Sequence, residues 1–179
     1  MKRERKALAA IAATMCVATA AALPARVSEA PGGPPAVEAP ARIATLQHDP
    51  QFVLEAVAKR MGVALRPDLP PPAIRFESRT PLERLQAAAE RQWGFRPEVF
   101  TTTYATAENA IYLIDEARLY EQYGGTLDDS LAHELVHYIQ ALYLGDRFTT
   151  DWSETEAVAV QTWFRNEHMA PRLAANARP

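Results

Sequence analysis

Hydrophobic positions along the chain fall into runs of two different periods, separated by proline, glycine and short charged stretches. DPQFVLEAVAKRMG carries Phe52, Val53, Ala56, Val57 and Arg60 at helical spacing, with Pro50 near its start and Gly62 as its stop. RPDLPPP at 66–72 is too rich in proline for regular structure, and hands the chain to AIRFES, which alternates like a short strand. Thr80-Pro81-Leu82-Glu83 reads as a capping box with proline at the first helical position. It opens the helix LERLQAAAERQWG, with Leu82, Leu85, Ala89 and Trp93 expected inward. VFTTTYAT and AIYLID are β-branched and aromatic runs joined by a short turn through Glu108-Asn109, the pattern of a hairpin. DEARLYEQYGG adds a short helix.

Two further helices follow. TLDDSLAHELVHYIQALYLG contains no proline and ends on Gly145; Thr126 or Asp128 suits its cap, and Asp128 and Asp129 suit its first turn. Leu131, Leu135, Ile139 and Leu142 form its core-facing stripe, while His133, His137 and Gln140 lie on another face. TTDWSETEAVAVQTWFRNEH reads as the second helix. Helix, strand, helix, hairpin and two helices predict an α+β domain, with a small mixed or antiparallel sheet packed on the histidine-bearing helix. AIRFES or AIYLID is expected at the sheet edge lining a cleft, where a substrate peptide would add as an extra strand. No internal repeat is visible.

Length and charge narrow this picture. At 179 residues the chain accommodates one domain. MKRERK followed by ALAAIAATMCVATAAAL and Leu23-Pro24-Ala25 reads as a signal peptide over 1–25, and the expected location is periplasmic or secreted. Residues 26–42 form a Pro/Ala-rich spacer, 43–170 the folded domain and 171–179 a disordered tail. Cleavage after Ala25 removes four basic residues and one acidic one, leaving 15 Lys+Arg against 21 Asp+Glu, a net charge of −6. Nucleic acid is excluded as a partner by that balance, and no membrane association is expected after cleavage. Cys16 lies in the leader, so the mature chain, expected to be a monomer, has no disulfide. A bound metal would supply part of that missing cross-link.

The candidate chemistry is HELVH at 133–137. His133 and His137 are one turn apart on one helical face and can both direct a nitrogen at one Zn²⁺, with Glu134 beside the metal to handle a proton. A third protein ligand is needed, with the fourth position kept for water. Glu154 and Glu156 are both in reach, and two residues apart on a helix they point about 200° apart. Glu156 is the expected ligand, because its helical neighbours Trp152, Ala159, Val160 and Trp163 are apolar, whereas Glu154 shares a face with Val158, Gln161 and Arg165. Against that, Ser153-x-x-Glu156 fits a capping box that would occupy Glu156 at a helix start.

HELVH followed by eighteen residues and a glutamate resembles the spacing of aminopeptidase-type gluzincins, and ETEA is similar to the third-ligand segment of several small bacterial HExxH families. The resemblance, to small secreted zincin-like metallopeptidase domains, covers residues 126–168. An HExxHxxGxxH extension, an Asn-Glu pair and an exopeptidase Gly-rich motif are all missing. The resemblance implies a zincin-like fold, a zinc ion on His133, His137 and Glu156, and hydrolysis of peptide bonds by a zinc-bound water that Glu134 deprotonates. Tyr138, Tyr143 and His168 are the candidates for oxyanion stabilisation, and Asp129 and Asp151 for acceptors of an imidazole N–H. Two other readings compete: an exported zinc-stabilised binding or assembly module without turnover, and a metal-free interaction domain.

Overall fold

The structure, a computed structural model, describes residues 42–145 and 150–169, the side chains of 150–153 excepted. The expected signal peptide, the spacer up to residue 41 and the tail lie outside the described residues, as do the side chains of Asp151, Trp152 and Ser153. Five α-helices and a three-stranded mixed sheet make an α+β fold. Among the described residues, no helix is long and apolar enough to cross a membrane.

The sheet is ordered β1 (Ala73–Phe76), β3 (Ala110–Leu113), β2 (Thr103–Ala105). β2 and β3 form the expected antiparallel hairpin, turning through Thr106–Glu108 and an Asn109 with φ +46°. β1 pairs with β3 in parallel, Ala73 opposite Ala110 and Phe76 opposite Leu113. AIYL is therefore the central strand rather than an edge. The reason is compositional: all four of its side chains are apolar and buried, so it suits a strand covered on both faces. Ile111 and Leu113 point to one face, Ala110 and Tyr112 to the other.

Those two faces define three layers. α2 (Leu82–Trp93) covers Ala110 and Tyr112 with Leu85 and Ala88. The opposite face meets the main core, built by α1 (Pro50–Arg60), α4 (Leu127–Ile139) and α5 (Thr150–Phe164). α1 is capped by Asp49, whose carboxylate accepts the Gln51 N–H at 2.8 Å, and buries Val53, Leu54, Val57 and Ala58. Phe52 is left exposed, stacked on His48. The short α3 (Ala117–Tyr123) leads into α4. The predicted Thr80–Glu83 capping box does not form: α2 begins one residue later, and Thr80 N–H closes a 3-10 turn on Glu77 O at 3.2 Å.

α4 is the central helix. Thr126 and Asp129 form a reciprocal capping box at its start. Leu131, Leu135 and Ile139 are buried as expected, but Leu142 is 37% exposed. The helix widens into a π turn over Gln140–Leu144, and the extra residue per turn rotates Leu142 out while Gln140 turns in. α5 runs antiparallel to α4, since Glu154 meets His137 at one end and Arg165 meets Asp129 at the other. Its buried residues are Ala157, Val160 and Phe164, whereas Ala159 is exposed. Of the face expected from sequence, Trp152, Ala159, Val160 and Trp163, the structure buries Val160, half-buries Trp163 and exposes Ala159, so the inward face is turned toward Ala157 and Phe164. The Ser153–Glu156 capping box is also excluded, because the helix already begins at Thr150.

Candidate metal centre

His133 projects from the middle of α4 and His137 from its last turn, with ring centroids 4.9 Å apart and Nε2 atoms 3.2 Å apart. Glu154, on the first described turn of α5, brings one carboxylate oxygen to 3.2 Å from His137 Nε2 and the other to 3.5 Å from His133 Nε2. In a tetrahedral site with metal–ligand bonds of about 2.0–2.1 Å, neighbouring ligand atoms sit about 3.3 Å apart. The three contacts, 3.2, 3.2 and 3.5 Å, are near that size, the two to Glu154 reaching different oxygens of its carboxylate. His133, His137 and Glu154 together form a group able to hold a metal ion, the histidine at its floor buried and the other two half-buried.

The glutamate that joins the two histidines in this group is Glu154; Glu156, the ligand expected from sequence, is not part of it. Both residues sit on α5, and the rotation of that helix decides between them. Glu156 accepts a hydrogen bond from Gln140 Nε2 at 3.0 Å and lies one step behind the site. The polar face that made Glu154 look mixed is the face that packs on α4. Gln161 contacts His133 Nδ1 through Oε1 at 3.2 Å, and Arg165 binds Asp129.

Both imidazoles are held from behind. His137 Nδ1 meets Gln140 Oε1 at 3.0 Å, and His133 Nδ1 meets Gln161 Oε1 as above. If Nδ1–H of each ring donates to its amide oxygen, both Nε2 lone pairs face one another and the Glu154 carboxylate, an arrangement relieved either by a metal ion or by a proton shared with Glu154. The chemistry of the donor set, two imidazole nitrogens and a carboxylate, suits zinc or another borderline transition metal better than calcium or magnesium.

No family model, curated protein or solved structure matches this chain. The site's chemistry rests on its own geometry.

Electrostatics follow from burial and these contacts. Hydrogen bonds from His133 and then His137 hold the Glu154 carboxyl down at about 2, so it is ionised. Burial alone would make His137 lose its proton more easily. The Glu154 bond and the Glu134 charge outweigh that and leave it above its ordinary value. Glu134 is 5% exposed, and burial pushes its carboxyl above the usual range while the two histidines pull it back. The Tyr104 backbone, on strand β2, is the smallest influence and also lowers it. A buried carboxyl raised in this way beside two imidazoles that could hold a metal is suited to exchange a proton.

The other residues singled out in the sequence are engaged elsewhere. Tyr138 donates to Pro70 O at 3.0 Å, and the Tyr143 hydroxyl accepts the Arg66 N–H at 3.3 Å. His168 sits among His48, Phe52, Trp163 and Phe164. Asp129 reaches His133 only through Gln161, whose Nε2 donates to Asp129 Oδ1 at 3.0 Å. In the sequence Gln161 and Arg165 stand out only as polar members of the mixed face they share with Glu154. The signal for them lies in their spacing, since Glu154, Gln161 and Arg165 make a stripe on α5 that matches Asp129, His133 and His137 on an antiparallel α4.

Proposed function

We propose that this chain is a zinc-dependent hydrolase that cleaves peptide bonds, with His133, His137 and Glu154 holding the metal and Glu134 as the proton-transferring residue. The observation that carries the reading is the convergence of His133 Nε2, His137 Nε2 and the Glu154 carboxylate, three protein groups able to hold one metal ion and leave a further position for water. Zinc in such a place supplies Lewis acidity toward a carbonyl oxygen and acidifies a coordinated water. The chain's own residues do the rest. Glu154, His133 and His137 present one negative charge to the ion, and the half-buried flank formed by His137 and Glu154 leaves the free corner reachable from solvent. Glu134, shielded from bulk water, takes a proton at its carboxyl and returns it to a leaving amine. The basic leader-like segment at the amino terminus supports action outside the cytoplasm.

A second reading is favoured by one observation: Glu134 is nearly inaccessible, only 5% exposed. On that reading the metal only staples α4 to α5. Elemental analysis of purified protein, combined with hydrolysis of a quenched fluorescent peptide library, separates the two. Stoichiometric zinc with cleavage abolished by Glu134→Gln supports the hydrolase. Stoichiometric zinc with no cleavage of any peptide supports the staple, and no zinc after reconstitution overturns both.

A further inference from the structure

The two amides behind the histidines have a fixed orientation. Gln161 Nε2 donates to Asp129 Oδ1 at 3.0 Å, and Gln140 Nε2 donates to Glu156 Oε2 at 3.0 Å. A flipped amide would set its oxygen against a carboxylate oxygen at that distance, acceptor against acceptor in a largely buried setting. Each amide oxygen is therefore committed to an imidazole Nδ1, at 3.2 Å for His133 and 3.0 Å for His137. The carboxylates are fixed in turn. Asp129, fully buried, also accepts from Thr126 N at 3.0 Å and Thr126 Oγ1 at 3.1 Å, and from the Arg165 guanidinium.

We propose that Gln161 and Gln140 are positioning residues, each relaying a carboxylate to one histidine so that both imidazoles are held as Nδ1–H tautomers with Nε2 free for the metal. The proposal rests on the metal-binding reading above. It gives Asp129 and Glu156 a role at one remove from the ion, and it explains why an amide rather than a carboxylate stands behind each ring. A neutral amide fixes the tautomer without adding a further negative charge beside Glu134 and Glu154. The histidines need no reorientation when the ion arrives, so the ordering cost falls on folding rather than on binding.

The test uses the full chain with ¹⁵N-labelled histidine, stripped of metal and held near pH 8.5, where long-range ¹⁵N–¹H correlation distinguishes protonated from bare ring nitrogens. Expected are protonated Nδ1 and bare Nε2 at both His133 and His137. Competition titration with zinc then compares Gln140→Leu and Gln161→Leu with wild type, each expected to bind about 10–100-fold more weakly. Since either variant could loosen the helix pair, the exchanged pair Gln140→Glu with Glu156→Gln is the control. It rebuilds the relay with donor and acceptor reversed and is expected to recover most of the loss, which a packing defect would not. Nε2–H tautomers, or wild-type zinc affinity in both leucine variants, would overturn the relay while leaving the metal site standing. Nδ1–H tautomers in a chain that binds no zinc would keep the relay and sink the metal reading.

Discussion

Arg165 donates from Nε to Asp129 Oδ2 at 2.6 Å and from Nη2 to Oδ1 at 3.2 Å, tying the end of α5 to the first turn of α4. Asp129 is fully buried and Arg165 half-buried. Removing the guanidinium would leave a desolvated carboxylate supported only by Thr126 and Gln161. Arg165→Leu is expected to destabilise the chain by about 2 kcal/mol, below the usual cost of a broken buried pair because the remaining donors stay in place. Adding Asp129→Asn should recover part of that loss, since no unpaired charge then remains. Urea unfolding of the three variants checks this. An Asp129→Asn exchange that worsens Arg165→Leu would place the cost in lost packing instead.

Glu154→Ala and Glu156→Ala separate the two glutamates. Glu154 touches both imidazoles, so its removal is expected to abolish stoichiometric zinc. Among the described residues Glu156 hydrogen-bonds Gln140 and meets neither imidazole, so its removal should leave zinc bound with an affinity lowered about 10–100-fold. Elemental analysis after dialysis gives the first result and a chelator competition the second. Zinc retained in Glu154→Ala and lost in Glu156→Ala would reverse the assignment.

Much of this site was legible before any coordinates. HELVH placed two histidines one turn apart because helical geometry is local, and the hairpin and the α4 stripe followed from residue periodicity alone. Which glutamate joins the histidines was not legible, because it depends on the rotation of α5 about its own axis. Trp152, Ala159, Val160 and Trp163 around Glu156 made that face look like the core. The rule that failed was that inward means apolar. Here α4 and α5 pack through a shared polar stripe, with Asp129, His133 and His137 meeting Arg165, Gln161 and Glu154. Leu142 failed for a similar reason, since a change from α to π winding leaves no mark in hydrophobic spacing. β3 lies at the centre because strand order depends on long-range pairing with β1, which a hairpin pattern does not encode.

Glu134→Gln tests function against stability in one variant. Glutamine keeps the shape but cannot take up a proton, so peptide hydrolysis is expected to fall by about 10²–10⁴-fold with zinc content unchanged. Stability is expected to move the other way. Burial disfavours the ionised form of Glu134, and a neutral amide removes that penalty at neutral pH. A raised melting temperature with lost turnover marks a residue kept for chemistry. Full activity in a zinc-loaded Glu134→Gln would assign proton transfer to another group.

Glu77 provides a pH-dependent test away from the metal centre. It follows β1 in a 3-10 turn, and its carboxyl is raised by burial first, then by the charges of Asp115 and Glu116. A raised carboxyl binds its proton more tightly in the folded state than in the unfolded chain. Folding stability therefore falls as pH rises from the ordinary glutamate value through the raised one, and the full penalty is present at neutral pH. Glu77→Gln is expected to stabilise the chain near pH 7 by less than about 1 kcal/mol, because the side chain is partly solvated and screened. The gain should vanish near about pH 3, where Glu77 is protonated in both states. Added salt should remove only the smaller share, because desolvation outranks the neighbouring charges. Denaturant melts of both proteins at about pH 3 and about pH 7 decide it, and an equal gain at both would mean that the glutamine packs better and that charge is not the cause.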